Sequence, residues 1–300
     1  MAGYTILVVD DSALDRRLAG ALLTKAGYVV EHAEDGRAAL ASVAAKEPDA
    51  VVTDLQMPFL DGLELVAQLR VTNPSLPVVL MTAHGSEAVA EAALRIGASS
   101  YVPKRKLASD LVETVGAILA LLHGGRRESG LDPLEVGELD FELGLELESM
   151  SEVIGTLESN LLKLGLCDEG GALQVGVALR EAIVNAVVHG SLEVSSSLLD
   201  EGDGSSFHAL VAKRRKEPPY SRRTVRLRAS HTKDEVVYTV TDEGPGFDAS
   251  TLADPTDVAN LDRTHGRGLM LIRTFMDEVS FRGRGNEIRM SKRRARESQA

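Results

Sequence analysis

The stretch Thr5-Ile6-Leu7-Val8-Val9-Asp10-Asp11 joins an unbroken apolar run to a pair of carboxylates. A run with no polar alternation reads as a strand buried on both faces. The same grammar recurs at Ala50-Val51-Val52-Thr53-Asp54 and at Val78-Val79-Leu80-Met81-Thr82, each followed by an amphipathic stretch. Tyr28 to Ala33 and Ser99 to Val102 supply two weaker strands, the last leading to Lys104. Five βα units in the first 120 or so residues predict an α/β, doubly wound, parallel five-stranded sheet with helices on both faces. In such sheets ligands bind outside the carboxyl ends of the strands, where Asp10, Asp11, Asp54, Thr82 and Lys104 all fall.

Taken singly, each of these aspartates reads as a helix cap or a surface charge. As a spaced set they converge on one sheet edge and one ammonium. At an effective dielectric near 20, two carboxylates about 4 Å apart repel by roughly 4 kcal/mol, so three of them call for a cation beyond the lysine. Hard oxygen ligands with open positions suit Mg²⁺, and a divalent ion there would shield Asp54 from an incoming phosphoryl donor and make it a usable nucleophile.

This set closely resembles a response-regulator receiver domain of flavodoxin-like fold over about residues 4 to 122. The resemblance implies Asp54 as phosphoacceptor, Asp10 and Asp11 as metal binders with Asp54 and the Gln56 carbonyl, Lys104 as phosphate partner, and Thr82 with Tyr101 as the switch pair. Receivers usually carry proline directly after the lysine, whereas Lys104 is preceded by Pro103 and followed by Arg105. A non-proline cis bond costs about 2.5 to 4 kcal/mol, so a trans Lys104–Arg105 bond is expected.

Gly124-Gly125-Arg126-Arg127-Glu128-Ser129-Gly130 interrupts the pattern, and a linker is expected over 124–137. The second half changes style. Alternation from Leu139 to Leu147 precedes helical patterns at about Ser149 to Leu166 and Ala172 to His189. Strand-like Thr224 to Ala229 and Val236 to Thr241, a Gly-rich loop, a helix from about Gly268 to Met276 and two closing strands follow. Helices beside a mixed, mostly antiparallel sheet predict an α+β sandwich.

Within the second helix, four-residue steps place Glu181, Asn185 and His189 on one face. A polar stripe on a buried helix is expensive unless it meets a ligand or a fixed partner; alone it fits capping or core hydrogen bonds equally well. Asp242-Glu243-Gly244-Pro245-Gly246 follows a strand, where glycine lets backbone approach a planar base and a fixed carboxylate can accept from an amino group. Thr264-His265-Gly266-Arg267-Gly268-Leu269 opens the next helix, whose free N–H groups suit phosphate.

The ordered set of three boxes resembles the GHKL ATPase superfamily over about 138 to 292. Arg267 to Arg273 with Met276-Asp277-Glu278-Val279 looks most like its anti-sigma-factor serine-kinase branch. The resemblance implies ATP and Mg²⁺ as cofactors, Glu181 as general base, Asn185 as Mg²⁺ ligand, Asp242 as adenine reader, and Gly244, Gly246, Gly266, Gly268 and Leu269 as further ATP contacts.

The organisation expected is therefore a receiver over 1–123, a linker over 124–137, an ATP-binding domain over 138–292 with an insert at about 195–223, and a basic tail over 293–300. Phe207 to Lys216 in the insert reads as a short surface helix. The basic runs Lys213-Arg214-Arg215-Lys216 and Lys292-Arg293-Arg294 read as solvated surface or tail.

Composition narrows the function classes. A length of 300 residues with 44% hydrophobic content suits two cores. Net charge of −12 argues against a nucleic-acid or anionic-membrane partner. The single cysteine, Cys167, excludes a disulfide framework. The apolar stretch Val115 to Leu122 is too short to span a bilayer, and the N-terminus reads as lacking a cleavable signal, so a cytoplasmic protein is expected.

A sensor histidine kinase would need a phosphoacceptor histidine on a two-helix hairpin, yet about 57 residues separate His123 from Glu181, and the ATP fold needs a strand and a helix of its own there. The expected function is a response regulator whose phosphorylation controls an anti-sigma-type serine/threonine kinase domain. The alternative is a non-catalytic ATP-binding switch that sequesters a partner. The resemblances imply an upstream histidine kinase or phosphotransfer protein as input and an anti-sigma antagonist or sigma-like factor as output; a homodimer stays open.

Overall fold

A computed structural model describes residues 3–83, 87–124, 137–146, 150–199, 205–247 and 267–294. The chain divides into two compact units, residues 1–122 with 169–174 and residues 123–168 with 175–300.

In the first unit the apolar runs form the strands β1 (Thr5–Val9), β3 (Ala50–Asp54) and β4 (Val78–Thr82), with β2 (Val29–Ala33) and β5 (Ser100–Pro103) outside them. All pairings are parallel, in the order β2-β1-β3-β4-β5. Ile6 to Val9, Val51, Val52 and Val79 to Met81 are closed to solvent. Fully burying side chains of this size contributes roughly 1.5 to 3 kcal/mol each. Central strands buried on both faces explain the absence of alternation in their sequence.

The helices are α1 (Ala13–Lys25), α2 (Gly36–Ala45), α3 (Gly62–Thr72), α4 (Glu87–Ile96) and α5 (Leu107–Gly124). Side-chain caps set the starts of α2 and α3: Asp35 Oδ1 accepts from the Ala38 amide at 2.8 Å, and Asp61 with Glu64 makes a reciprocal capping box. Helices α1 to α4 each return the chain to start the next parallel strand, so all five strands end at one edge of the sheet.

The second unit is built on β6 (Gly137–Leu143), β7 (Val225–His231), β8 (Glu235–Asp242), β9 (Glu278–Arg282) and β10 (Glu287–Arg293). The order is β6-β7-β8-β10-β9, and the mostly antiparallel sheet expected is antiparallel in each of these pairings. β7 and β8 alternate buried with less buried positions, burying Val225, Leu227, Ala229, Tyr238 and Val240 on one face. Helices α6 (Met150–Lys163), α7 (Glu169–Asn185) and α9 (Arg267–Phe275) bury Ile154, Leu157, Ile183, Leu271 and Phe275, completing an α+β sandwich. The span Glu169–Ser191 is apolar enough by composition to cross a membrane. Its burial within the fold and the polar residues it carries are those of a core helix.

Three features depart from the expectations. The helical pattern expected to His189 gives way after Asn185 to a π-helical turn, Ala186–Ser191. The wider turn breaks the four-residue step, so His189 leaves the Glu181–Asn185 face and its Nδ1 lies 2.6 Å from the Val194 carbonyl. Helix α8 covers Ser205–Arg214, and Arg214 and Arg215 are half-buried where solvated charge was expected. Lys292 and Arg293 belong to β10, where Lys292 Nζ donates to the Phe275 carbonyl at 2.9 Å. Arg294 donates to the Leu164 and Gly165 carbonyls, each at 2.9 Å. Lys292 and Arg294 thus bind carbonyls left unsatisfied at helix ends, while Arg293 pairs with Glu235 and Glu278.

Candidate functional site

The site of the first unit forms where β1, β3, β4 and β5 end. Asp10 is fully buried at the end of β1, and Asp54 closes β3 almost as deeply. Lys104, in the single 3₁₀ turn Lys104–Lys106 after β5, reaches both, with Nζ 2.9 Å from Asp10 Oδ2 and 3.1 Å from Asp54 Oδ1. The cis bond among the described residues is Pro218–Pro219, so the bond after Lys104 is trans.

Burial pushes the Asp54 carboxyl above the ordinary carboxylate range, Lys104 pulls it back, and Asp10 raises it again. Burial opposes the charge on Lys104, yet its bonds to Asp10 and Asp15 and the charge of Asp54 outweigh that and hold it well above the usual lysine value. One oxygen from each of Asp10, Asp11 and Asp54 lies within 4.8 Å of the others. Three hard oxygens at that spacing, one exposed and two buried, fit Mg²⁺. Gln56 lies two residues beyond Asp54 in the exposed loop, and Thr82 and Tyr101 are buried on β4 and β5.

Asp15 escaped the sequence reading. It sits in the first turn of α1, where Ser12 Oγ accepts from its amide at 3.3 Å, and its Oδ2 lies 2.9 Å from Lys104 Nζ. In the sequence it reads as an ordinary acidic residue near a helix start.

The second unit gathers its polar residues around the end of α7. Glu181 and Asn185, one turn apart, face the start of α9. A Cβ placed on Gly268 would stand 2.6 Å from Glu181 Oε2 and 3.7 Å from Asn185 Nδ2, so a larger residue at the helix start would push the Glu181 carboxylate aside. Leu269 follows in the same turn. Gly266 lies outside the described residues. Arg180 Nη1 stands 3.4 Å from Glu181 Oε1.

Asp242, at the end of β8, lies over Gly190 in the π turn: a Cβ on Gly190 would stand 2.5 Å from both Asp242 carboxylate oxygens, and one on Gly244 would strike the Gly190 carbonyl. Asp242 Oδ1 accepts from the Gly244 amide at 2.8 Å. The turn between β9 and β10 braces this loop, since Asn286 Nδ2 donates to the Asp242 carbonyl and Arg284 Nη2 to the Gly244 carbonyl, both at 2.8 Å. Gly246 takes a left-handed φ of 79°. Burial raises the Asp242 carboxyl, while the Gly244 amide, Arg284 and Arg223 partly offset it. Gly190 also escaped the sequence reading, because a π turn leaves no mark in a 3.6-residue period.

Residues 6–116 match the family model for the response regulator receiver domain, and residues 143–292 match that for the histidine kinase-like ATPase domain. Among curated proteins, response regulator MprA of Mycolicibacterium vanbaalenii is 45% identical over 114 residues, covering 38% of this chain and 49% of that protein. MprA of Mycobacterium ulcerans is 43% identical over the same length and coverage. The chain thus spans about half the length of the curated relatives it matches. Among solved structures, a receiver domain protein from Clostridium thermocellum is 29% identical, covering 38% of this chain and 91% of that one, with a TM-score of 0.36.

Proposed function

On the premise that this chain belongs to the histidine kinase-like ATPase domain family and carries a response regulator receiver domain ahead of it, we propose that it is a phosphorylation-controlled serine/threonine protein kinase of the anti-sigma type. Asp54 takes a phosphoryl group from an upstream phosphohistidine. The added charge of about −1.5 to −2 draws on Lys104, Thr82 and Tyr101 and remodels the surface around them. That change governs the ATP domain, whose target is a serine or threonine of an antagonist protein, or a sigma-like factor held in complex. The setting is cytoplasmic.

ATP with Mg²⁺ supplies the γ-phosphoryl when bound. Asp10, Asp11 and Asp54 would hold Mg²⁺ in the receiver, and Asn185 in the ATP domain. Asp242 would accept from the adenine amino group, the start of α9 at Gly268 would hold phosphate, and Glu181 would take the proton from the attacking hydroxyl.

The observation that carries this reading is the placement of Glu181 beside Gly268 and Asn185, a carboxylate where binding alone requires none. That same carboxylate disfavours the non-catalytic switch. Glu181→Gln keeps the shape and removes the base. Transfer of labelled phosphate to a serine or threonine of the antagonist should fall by roughly 10²- to 10⁴-fold while ATP affinity holds within a few fold. Undiminished transfer would remove Glu181 from the chemistry.

A further inference from the structure

Helix α8 of the insert fully buries no residue, and its apolar Phe207, Leu210 and Val211 are only half-buried. A pair of arginines ties this segment to the turn before it. Arg214 Nη1 donates to the Leu192 carbonyl at 2.7 Å and the Glu193 carbonyl at 2.6 Å. Arg223 Nη1 donates to the Ser191 carbonyl at 2.7 Å and to Glu193 Oε1 at 2.8 Å. The Tyr220 ring lies against both guanidiniums, with their carbons 4.8 and 5.2 Å from its centroid, a geometry that suits cation–π attraction.

The accepting carbonyls belong to the end of the π turn, where helix carbonyls lack intrahelical donors and the dipole favours a cation. Glu193 there holds φ at 53°, unusual for a residue with a Cβ. This turn also carries Gly190, on which Asp242 rests. A second tie runs directly to the loop: the Thr224 amide, next to Arg223, donates to Glu243 Oε2 at 2.8 Å, and the charge of Arg223 pulls the Asp242 carboxyl downward against its burial. Exposed arginine–carboxylate pairs contribute little by themselves. Three of the four bonds here end on backbone carbonyls of a single turn, which fixes the turn's shape as well as its charge.

We propose that Arg223, seconded by Arg214, is a positioning residue of the nucleotide site: the insert fixes the Ser191–Glu193 turn and the Asp242 loop against each other, and so sets ATP affinity and adenine selectivity from outside the pocket. This rests on the reading of Asp242 as the adenine contact.

The test measures ATP and GTP affinity of the full chain, with the melting temperature of the nucleotide-free protein, for Arg223→Gln, Arg223→Lys, Arg214→Gln and Asp242→Asn. Arg223→Gln should weaken ATP about tenfold, within the usual range for coupled sites, and lower the ratio of ATP to GTP affinity, with little change in nucleotide-free melting. Arg223→Lys, which keeps a donor and the charge, should recover part of both, and Arg214→Gln should lose about threefold. Wild-type ATP affinity in Arg223→Gln beside a weakened Asp242→Asn overturns the positioning role alone. Wild-type affinity in Asp242→Asn overturns the adenine contact and with it this route. Should Arg223→Gln fail to fold, an ATP to GTP ratio unchanged in both Arg223→Lys and Arg214→Gln overturns the proposal.

Discussion

In the first unit three carboxylates stand within 3.1 Å of one ammonium, whereas the second unit's site is defined by what is missing, the side chains that Gly190, Gly244 and Gly268 do not have. The contrast follows from the chemistry proposed for each site. A carboxylate that accepts a phosphoryl group must be held beside like charges and kept ionised, so charge is concentrated there and balanced by Lys104. A site for a planar base and a polyphosphate needs room and backbone donors, so strand and helix ends are brought close and the charges stay few. One site is therefore vulnerable to changes of charge, the other to changes of volume.

The sharpest way to break this comparison is to add a single methyl at the second site. Gly190→Ala places a Cβ 2.5 Å from both Asp242 oxygens, which must displace the carboxylate. ATP affinity should fall by about 10²-fold, equivalent to roughly 2.7 kcal/mol, with unaltered phosphorylation of Asp54. Isothermal titration would show it, and wild-type affinity would mean that Asp242 does not read the nucleotide.

The matching change at the first site alters charge without volume. Asp15→Asn frees Lys104 from one of its three partners and removes a negative charge that an incoming phosphoryl group must face. Phosphorylation of Asp54 by a small phosphodonor should quicken by about fivefold, equivalent to roughly 1 kcal/mol at a half-buried pair, and the phosphorylated form should persist longer. A slower reaction would assign Asp15 a constructive role in place of competition.

How each site could be read from the sequence follows the same division. Asp10, Asp11, Asp54, Thr82 and Lys104 stand out because each ends or follows an apolar run, and strand ends in a parallel sheet must meet. Asp15 does not, since an acid in the first helical turn has a sufficient local explanation. Glu181, Asn185 and Asp242 emerge from periodicity and neighbouring glycines, but Gly190 depends on a π turn that no 3.6-residue pattern contains. Arg214 and Arg294 read as solvated charge because arginine donors to backbone carbonyls leave no trace in spacing. The four-residue step from Asn185 to His189 misled for the same reason as Gly190 stayed hidden.

A smaller effect probes the second unit's tolerance of charge. Glu158 on α6 fills the space a Cβ on Gly176 would take, its Oε1 is buried without a hydrogen-bond partner, and burial pushes its carboxyl up to about 8. The unfolded chain releases this proton near the ordinary value of 4.5, so the folded state binds more protons between those two values. Stability then falls as pH rises from about 4.5 to 8, by up to a few kcal/mol, and levels off above. Glu158→Gln should melt higher than wild type at pH 8 and alongside it at pH 5; parallel curves at both pH values would place the carboxylate in solvent.

The central claim is that the charged site governs the shaped one, and phosphorylation-dependent transfer tests it directly. The full chain, with and without phosphorylated Asp54, is given Mg-ATP labelled at the γ-phosphate and an antagonist-type protein, beside Asp54→Asn. The account predicts label on serine or threonine at a rate that changes severalfold when Asp54 is phosphorylated and does not respond in Asp54→Asn. Equal rates in all three samples, or label that never reaches a hydroxyl side chain, would contradict it.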